Sequence, residues 1–479
     1  MALNKKKVLF ITTGVITLVV FAGILACLLN IKAFKPQIEA VASTALGMDV
    51  RVKGRMGIAL FPGFGLSLKD VNVRNRGLDV VTIEKVRIGL KLIPLARKEF
   101  QISRIWLIEP VFSIARHKNG TFNFDKPGRT LSGKPLSVKK ISVSQGNLVY
   151  TDETSGAKIE INNFDLSLKN LSYNETDSSE PAKSISFTGN TQCKMLKIYN
   201  ITLMNFVMRS VCEKGILDIN PVSMNIFGGT GTGNIHVDLT GPSPHYRVIY
   251  NLNRVRIEDL LELYSLKKIP PKTIEGPIKF SADLTAMGKS ADEMKRSLNG
   301  NLSLNGENLM LCNIDIDALI IKNERSRNFN LVDLAAFLLA GPIGPVLTKS
   351  YNFARLLEES QGGKGIVRKL VSVWKVKNGI AEARDVALAS KKQRIAMTGG
   401  LNFINEQFVD VTVAVLDKQG CAVYSEKVHG PFREPQIEKK SIFKSITGSV
   451  LNPLEDAWKF LQGEECTVFY SGSVAQPED

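Results

Sequence analysis

The sequence predicts a mainly β protein in which one N-terminal transmembrane helix precedes a long antiparallel sheet with a few helices. The first observation is an uncharged apolar segment near the start of the chain, Val8–Leu29. The second is an alternation of apolar and polar residues that recurs between residues 86 and 415. Turn signals separate the alternating stretches: Asn119-Gly120, Asn305-Gly306 and Asn378-Gly379.

The apolar segment predicts a membrane anchor. As a helix, Val8–Leu29 extends about 33 Å, enough to cross the hydrocarbon core of a bilayer. Lys5, Lys6 and Lys7 precede it and favour a cytoplasmic N-terminus, with the bulk of the chain beyond the membrane. A cleaved signal peptide and a lipoprotein cleaved at the loose lipobox Ile24-Leu25-Ala26-Cys27 are the alternatives. Because apolar residues continue past Cys27, we interpret residues 1–30 as a cytoplasmic tip and an uncleaved anchor.

The positive charge is concentrated next to this anchor. The chain of 479 residues has a net charge of +16, and residues 31–140 hold 21 Lys or Arg against 8 Asp or Glu. The sequence shows no recognition helix or zinc-finger pattern, so we expect no nucleic-acid partner. Anionic lipid headgroups attract such residues, and we expect Arg51, Lys53 and Arg55 to lie nearest to them. A solvated outer face of a sheet is the alternative.

The alternation places apolar side chains of each predicted strand on one face of the sheet. The positions that we select from the pattern are Ile88, Leu90, Leu92, Phe112, Ile114, Leu166, Leu168, Leu302, Leu304, Val411 and Val413. We divide the remaining chain into a basic membrane-proximal β domain at 31–140, middle β repeats at 141–290 and a C-terminal β domain at 291–479.

Few helices are expected. The predicted helices are Phe34–Leu46, Ile257–Lys267 and a terminal helix at Ile442–Leu461. Leu331–Leu347 is apolar but contains Asp333 and two Gly-Pro pairs, which favours a buried helix with a turn over a membrane-dipping loop.

Motifs that carry catalysis or bind cofactors are missing from the sequence. The four His are scattered without metal-ligand spacing. The glycine-rich run at 228–233 precedes a predicted strand, so no helix N-terminus follows it to hold a phosphate. Gly288-Lys289-Ser290 resembles the end of a P-loop, but Asp283 stands where the first glycine is needed. We therefore expect no enzyme, no metal and no cofactor.

The cysteines suggest one crosslink. Cys421 and Cys466 flank the final segment, and a disulfide between them would tie the predicted terminal helix to the last strands. Export from the cytoplasm would permit such a bond. Free buried thiols are the alternative.

Several stretches, in this order, resemble the AsmA family of bacterial envelope proteins and, more broadly, the AsmA/TamB-like lipid-transport group. The stretches are Leu66–Val73, the segment from Val86 to Phe124 with its Asn119-Gly120 turn, Phe227-Gly228-Gly229 within Gly215–Tyr250, Leu298–Gly306 followed by Asn313-Ile314-Asp315, Val428–Phe432, and Cys466–Gly472. In the stretch Asn313-Ile314-Asp315, Asn313 stands where the family usually has glycine.

The resemblance implies an inner-membrane protein with a periplasmic body that takes part in outer-membrane biogenesis. In that group the body is a long curled sheet with an apolar inner face that shields lipid chains. The selected apolar positions would then line a groove for membrane phospholipids, and other envelope proteins are further candidate partners. Since a closed sheet core needs the same alternation, a scaffold that regulates outer-membrane protein insertion without binding lipid is the alternative.

Overall fold

The computed structural model describes residues 35–59, 64–91, 102–125, 136–173, 181–263, 274–324, 363–440 and 467–477. These residues contain 21 strands, paired in both antiparallel and parallel fashion, together with few helices. The mainly β prediction is therefore confirmed. The chain divides into two compact units, Met1–Lys214 (unit 1) and Gly215–Asp479 (unit 2).

The described part of unit 1 contains one α-helix, a short 3-10 helix at Pro181–Ser184 and the first nine strands. Both β1 and β2 pair with β3, and from β3 to β9 each strand pairs with the next. The elements are α1 (Lys35–Leu46), β1 (Asp49–Val52), β2 (Met56–Ala59), β3 (Gly65–Asn75), β4 (Leu78–Leu90), β5 (Ile102–Arg116), β6 (Leu136–Asp152), β7 (Lys158–Tyr173), β8 (Ile185–Ile198) and β9 (Ile201–Glu213).

One pairing in unit 1 corrects the prediction of a wholly antiparallel sheet, because β5 and β6 run parallel. A turn does follow β5 at Asn119-Gly120, and Phe122 forms an isolated bridge to Arg116. The chain then starts β6 beside the beginning of β5, where Arg104 lies opposite Lys140. Residues 117–135 are long enough for this crossover, which a two-residue hairpin cannot provide.

Helix α1 packs along β1, and it forms within the segment Phe34–Leu46 for which the sequence predicts a helix. The Glu39 carboxylate accepts a hydrogen bond from the Val52 N–H at 2.7 Å, and the Ser43 hydroxyl accepts one from the Val50 N–H at 2.9 Å. Ile38 and Ala42 pack against a cluster of buried residues from β1, β3 and β4. The helix is followed by Gly47, whose φ of 62° suits a helix C-terminus.

Among the residues that the structure describes, unit 2 contains three short helices and the remaining twelve strands, and every described pairing within it is antiparallel. Its elements are β10 (Ile216–Ile226), β11 (Gly229–Asp238), β12 (His245–Arg256), α2 (Ile257–Leu263), β13 (Ile274–Glu275), β14 (Pro277–Met287), α3 (Ala291–Arg296), β15 (Asn299–Cys312), α4 (Ile316–Glu324), β16 (Lys364–Lys377), β17 (Ile380–Ala389), β18 (Arg394–Asn402), β19 (Gln407–Leu416), β20 (Ala422–Pro431) and β21 (Gln436–Lys440).

Two of the turn predictions in unit 2 have different outcomes. Asn378-Gly379 forms the turn between β16 and β17, as predicted. Asn305-Gly306, in contrast, lies inside β15, so the turn predicted there is wrong. A Cβ at Gly306 would come within 2.8 Å of the Leu309 side chain, so this glycine permits close packing in the strand instead of a turn.

The apolar face of unit 2 is a closed core along β14 to β20. Trp374, Leu304 and Val413 are each at most 1% exposed. The indole N–H of Trp374 donates to the Ser372 hydroxyl at 2.8 Å, which satisfies its polar atom within the core. The opposite face of the same strands carries alanines, among them Ala387, that the C-terminal residues Tyr470 and Val474 cover.

The C-terminal segment 467–477 is fastened by polar contacts. Buried Arg394 donates to the Val474 carbonyl at 3.2 Å and lies over the ring of Tyr470. The Tyr470 hydroxyl donates to the Asp385 carboxylate at 2.5 Å, and the Ser473 N–H donates to the same carboxylate at 3.1 Å.

Several sequence predictions lie outside the described residues: Val8–Leu29, Leu331–Leu347, Ile442–Leu461 and Cys466. Among the helices that the structure describes, none has the length and apolar character of a membrane span. Cys421 is disulfide-bonded and pairs across an isolated bridge with Val468. Because Cys466 is not described, the Cys421–Cys466 pairing stays a prediction.

We predict that Leu304→Ala costs about 2–5 kcal/mol of unfolding free energy, because it opens a cavity in a closed core. Leu166→Ala in unit 1 is the matched variant, and we expect it to cost about 1 kcal/mol because this side chain is only half-buried. Urea titrations followed by circular dichroism measure both losses. Equal losses would contradict the difference in burial between the units.

Candidate functional site

Apolar side chains form continuous rows across the sheet of unit 1. Residues directly opposite each other on paired strands share one face of a sheet, so the register defines each row. One row, from β3 to β9, is Leu68, Val86, Leu107, Val143, Leu166, Thr191 and Met208. A second is Val73, Val81, Phe112, Leu148, Ile161, Leu196 and Leu203.

Further rows on the same face complete this surface. Towards the end of β4 lies the row Leu66, Ile88, Ile105, Ile141 and Leu168. At the other end of the sheet lies the row Ile114, Tyr150, Ile159, Ile198 and Ile201. We call these four rows, with the aromatic centre described next, the apolar face of unit 1. Since strands are about 4.8 Å apart, the face extends about 30 Å from β3 to β9.

An aromatic centre lies between the two longest rows. Cys193 is paired with Phe164 on one side and with Phe206 on the other. The rings of Phe112 and Phe164 lie 6.2 Å apart. Cys193 is free, and burial raises the pKa of its thiol, so it behaves as a small apolar side chain here. Gly146 permits this packing, because a Cβ there would lie 2.6 Å from the Phe164 ring.

A line of residues with positive φ, here called bulges because each adds one residue to the outer side of its strand, crosses the middle of the same sheet. Asp70, Glu109, Gln145, Asn163 and Asn205, on five of its strands, have φ between 51° and 55°. The register of β3–β4, β4–β5, β7–β8 and β8–β9 is the same on both sides of this line, so the two-residue alternation changes phase on paired strands together. Leu68 and Val71 therefore lie on the same face, as do Phe206 and Leu203. The apolar face is continuous only because neighbouring strands shift together.

Side chains satisfy the backbone at these bulges. The Gln145 N–H donates to the Asp165 carboxylate at 2.9 Å, and the Asn163 N–H donates to the Asn147 side-chain oxygen at 3.1 Å. The polar side chains of Asp165 and Asn147 are thus needed to pair backbone N–H groups that the strand ladder leaves free.

Most of the apolar face is half-buried, in contrast to the core of unit 2. Within unit 1 the structure brings together six of the predicted groove residues, all half-buried: Ile88, Leu90, Phe112, Ile114, Leu166 and Leu168. Leu92 lies outside the described residues. Leu107, Val143 and Phe206 belong to the same face but were not selected from the sequence, since the bulges beside them interrupt the alternation.

The other four predicted groove residues lie in unit 2. Leu302, Leu304, Val411 and Val413 are at most 7% exposed and belong to its closed core. Their apolar surface is already covered by neighbouring side chains.

The predicted headgroup-proximal residues Arg51, Lys53 and Arg55 are exposed beside β3. Arg51 forms an ion pair with Asp49 at 2.9 Å. They lie at the edge of the apolar face rather than on it.

The remaining motifs of the sequence have structural roles. The glycine-rich run forms the β10–β11 turn and the start of β11, where Tyr250 packs against Gly231 and Gly233. Asn313 adopts a φ of 66°, a conformation that favours glycine, and Asp315 accepts a hydrogen bond from the Ala318 N–H at the start of α4. In the described part of the chain, no group of three His, Cys, Asp or Glu is placed to hold a metal ion.

A comparison with known families shows which family the chain belongs to. The model of the AsmA family matches residues 1–195 and 182–337. The chain belongs to the AsmA family. Searches of curated proteins and of solved structures gave no match. The two overlapping matches mean that this AsmA-family chain carries the family pattern twice, and the first match contains most of the apolar face.

One electrostatic feature accompanies the bulge line. Glu109 on β5 lies opposite Glu84 on β4, and the hydrogen bond between the two carboxyls raises the pKa of Glu109, with charge repulsion adding to the effect. A raised pKa in the folded state means that stability falls as pH rises through that pKa.

We therefore expect Glu109→Gln to raise the melting temperature at neutral pH, because it removes a repulsion between two ionised carboxylates. The gain should vanish in acid, below the raised pKa, because the wild-type carboxyl carries its proton there. Thermal melts from neutral to acid pH test the effect. Exposed Glu213→Gln, which also removes one carboxylate, is the control; a gain that is constant with pH would contradict the carboxyl pairing.

Proposed function

We propose that this AsmA-family chain binds phospholipid acyl chains on the apolar face of unit 1 and shields them from water. The observation that supports the proposal is the set of apolar rows on one face of the sheet, most of whose side chains are half-buried. Two of these rows continue from β3 to β9, interrupted only at Thr191. A closed core would bury these side chains fully, as unit 2 does along β14 to β20.

The energetics favour such a surface for lipids. Each CH₂ group exposed to water costs about 0.8 kcal/mol, so an unshielded two-chain lipid faces a barrier on the order of 20 kcal/mol. One leaflet of a bilayer core is about 15 Å thick, and the face extends about 30 Å, so an acyl chain fits along it. The interior of the face offers no charged side chain in its rows, whereas the opposite face of the same strands is polar.

The cellular setting is part of the proposal. We propose that Val8–Leu29 anchors the protein in the bacterial inner membrane with the N-terminus in the cytoplasm. Most of the chain then lies in the periplasm, where lipids need shielding between two membranes, and the protein takes part in outer-membrane biogenesis. We propose a non-enzymatic role without a cofactor, in which phospholipids are the ligands and other envelope proteins are partners.

The closed core of unit 2 supports the second candidate function. Leu302, Leu304, Val411 and Val413 are covered, so this part of the chain offers no apolar trough along β14 to β20. A scaffold that regulates outer-membrane protein insertion through protein contacts needs only such a stable body. The two functions differ in whether lipid contacts unit 1.

Site-specific photocrosslinking in the full chain distinguishes them. A benzophenone amino acid at Phe112 faces the apolar rows, whereas the same group at exposed Ser113 faces the other side of β5. We expect phospholipid adducts at position 112 and few at position 113, measured by mass spectrometry after irradiation of cells.

The adjacent positions form a matched pair, because both lie on β5 of the same full chain. Phe206 and exposed Val207 on β9 provide a second pair. Equal lipid adducts at inward and outward positions, or protein adducts alone at position 112, would favour the scaffold.

A further inference from the structure

The outer face of unit 1, opposite the apolar rows, carries a row of like charges. Arg104 on β5 lies directly opposite Lys140 on β6, and Lys140 lies directly opposite Lys169 on β7. Like charges at directly opposed positions of a sheet repel each other and destabilise the pairing. Three consecutive strands therefore carry cations at one level of the sheet.

The neighbouring row on the same face adds further positive charge. It consists of Arg87, Trp106, Ser142, Ser167, Asn190 and Arg209. Neither this row nor the row through Arg104 contains an Asp or Glu. Among the described residues, Lys140 and Lys169 form no ion pair. We define Arg87, Arg104, Lys140 and Lys169 as the basic patch.

The position of α1 relates the basic patch to the start of the chain. Glu39 and Ser43 of the helix accept hydrogen bonds from the backbone of Val52 and Val50, respectively. Val52 pairs with Val71 of β3, and Val50 pairs with Val73. The helix therefore begins, at Lys35, near the end of β3 that holds Gly65. Gly65 pairs with Gly89, and Gly89 pairs with Arg104. The helix start and the basic patch thus lie towards the same end of the sheet.

We propose that the basic patch docks unit 1 onto the anionic headgroups of the membrane that holds the chain. This inference rests on the anchor in the proposed function, because Leu29 and Lys35 are separated by at most about 20 Å of extended chain. Headgroup attraction is significant only within roughly 8–10 Å of the surface, the screening length in physiological salt. Docking neutralises the repulsion between the strands and holds the adjacent end of the apolar rows at the bilayer.

The test uses the full wild-type chain in nanodiscs of phosphatidylcholine alone and of an equimolar mixture with phosphatidylglycerol. Lysine acetylation by a water-soluble reagent is followed residue by residue by mass spectrometry. We expect Lys140 and Lys169 to react about fivefold more slowly on the anionic discs, which corresponds to about 1 kcal/mol. High salt should remove the protection.

Lys118 and Lys197 are internal controls, because both lie near the opposite end of the strands and are exposed. They should react equally on both discs. In a double variant, Lys140→Glu with Lys169→Glu, acetylation of the remaining lysines should no longer depend on the lipid composition of the disc. In the control variant, Lys118→Glu with Lys197→Glu, acetylation of Lys140 and Lys169 should still depend on it.

Equal acetylation of Lys140 and Lys169 on the two kinds of disc would overturn the docking proposal. Protection that is independent of lipid composition would do so as well, since it indicates an acidic protein segment as the occupant. If the chain fails to enter the discs, the anchor and the docking fall together. Loss of docking with lipid adducts still present at position 112 leaves the proposed function intact.

Discussion

The cross-strand register of unit 1 is the constraint on which the rest of the structure depends. A slip of one residue on any strand would move its apolar side chains to the opposite face. The line of bulges at Asp70, Glu109, Gln145, Asn163 and Asn205 shows how the chain meets this constraint, since most strands of the sheet change phase at the same level. The apolar rows stay aligned on both sides of the line, and polar side chains bond to the backbone that the bulges free.

Both units have strands in which apolar and polar side chains alternate, but the apolar side chains differ in how far they are buried. In unit 2 large side chains such as Trp374 fill the space over β14 to β20, and the C-terminal segment covers the alanines of the opposite face. Unit 1 has no described segment of this kind over its rows beyond α1 at one edge, and most of its apolar side chains remain half-buried. Buried side chains such as Leu68 and Val143 belong to two small clusters. The difference lies in what covers a sheet and not in the pattern of its strands.

The sequence is sufficient for the strand alternation, helix α1 and the family, because each depends on short-range periodicity or on an ordered set of motifs. It is insufficient for the parallel pairing of β5 and β6, which is decided by where the crossover returns the chain. Asn305-Gly306 has the composition of a turn, since nothing local reveals that Leu309 needs the space of the missing Cβ.

The apolar face shows the same limit of sequence-based prediction. Leu107 and Phe206 were missed because bulges interrupt the alternation beside them. Whether an alternating apolar position lines a groove or a core depends on what covers it: Leu166 and Leu304 have the same local pattern but different burial.

The central claim is that the apolar face of unit 1 holds lipid. Its most direct test is quantitative lipid mass spectrometry on the purified full chain, its Leu166→Asp variant and its Ser167→Asp variant. Leu166 lies on the apolar face and Ser167 on the opposite face, so the two charges differ only in the side they occupy. Lipid held by the predicted anchor is common to all three chains. The account predicts fewer phospholipids per chain in Leu166→Asp and an unchanged number in Ser167→Asp. Equal lipid content in three folded chains would contradict it.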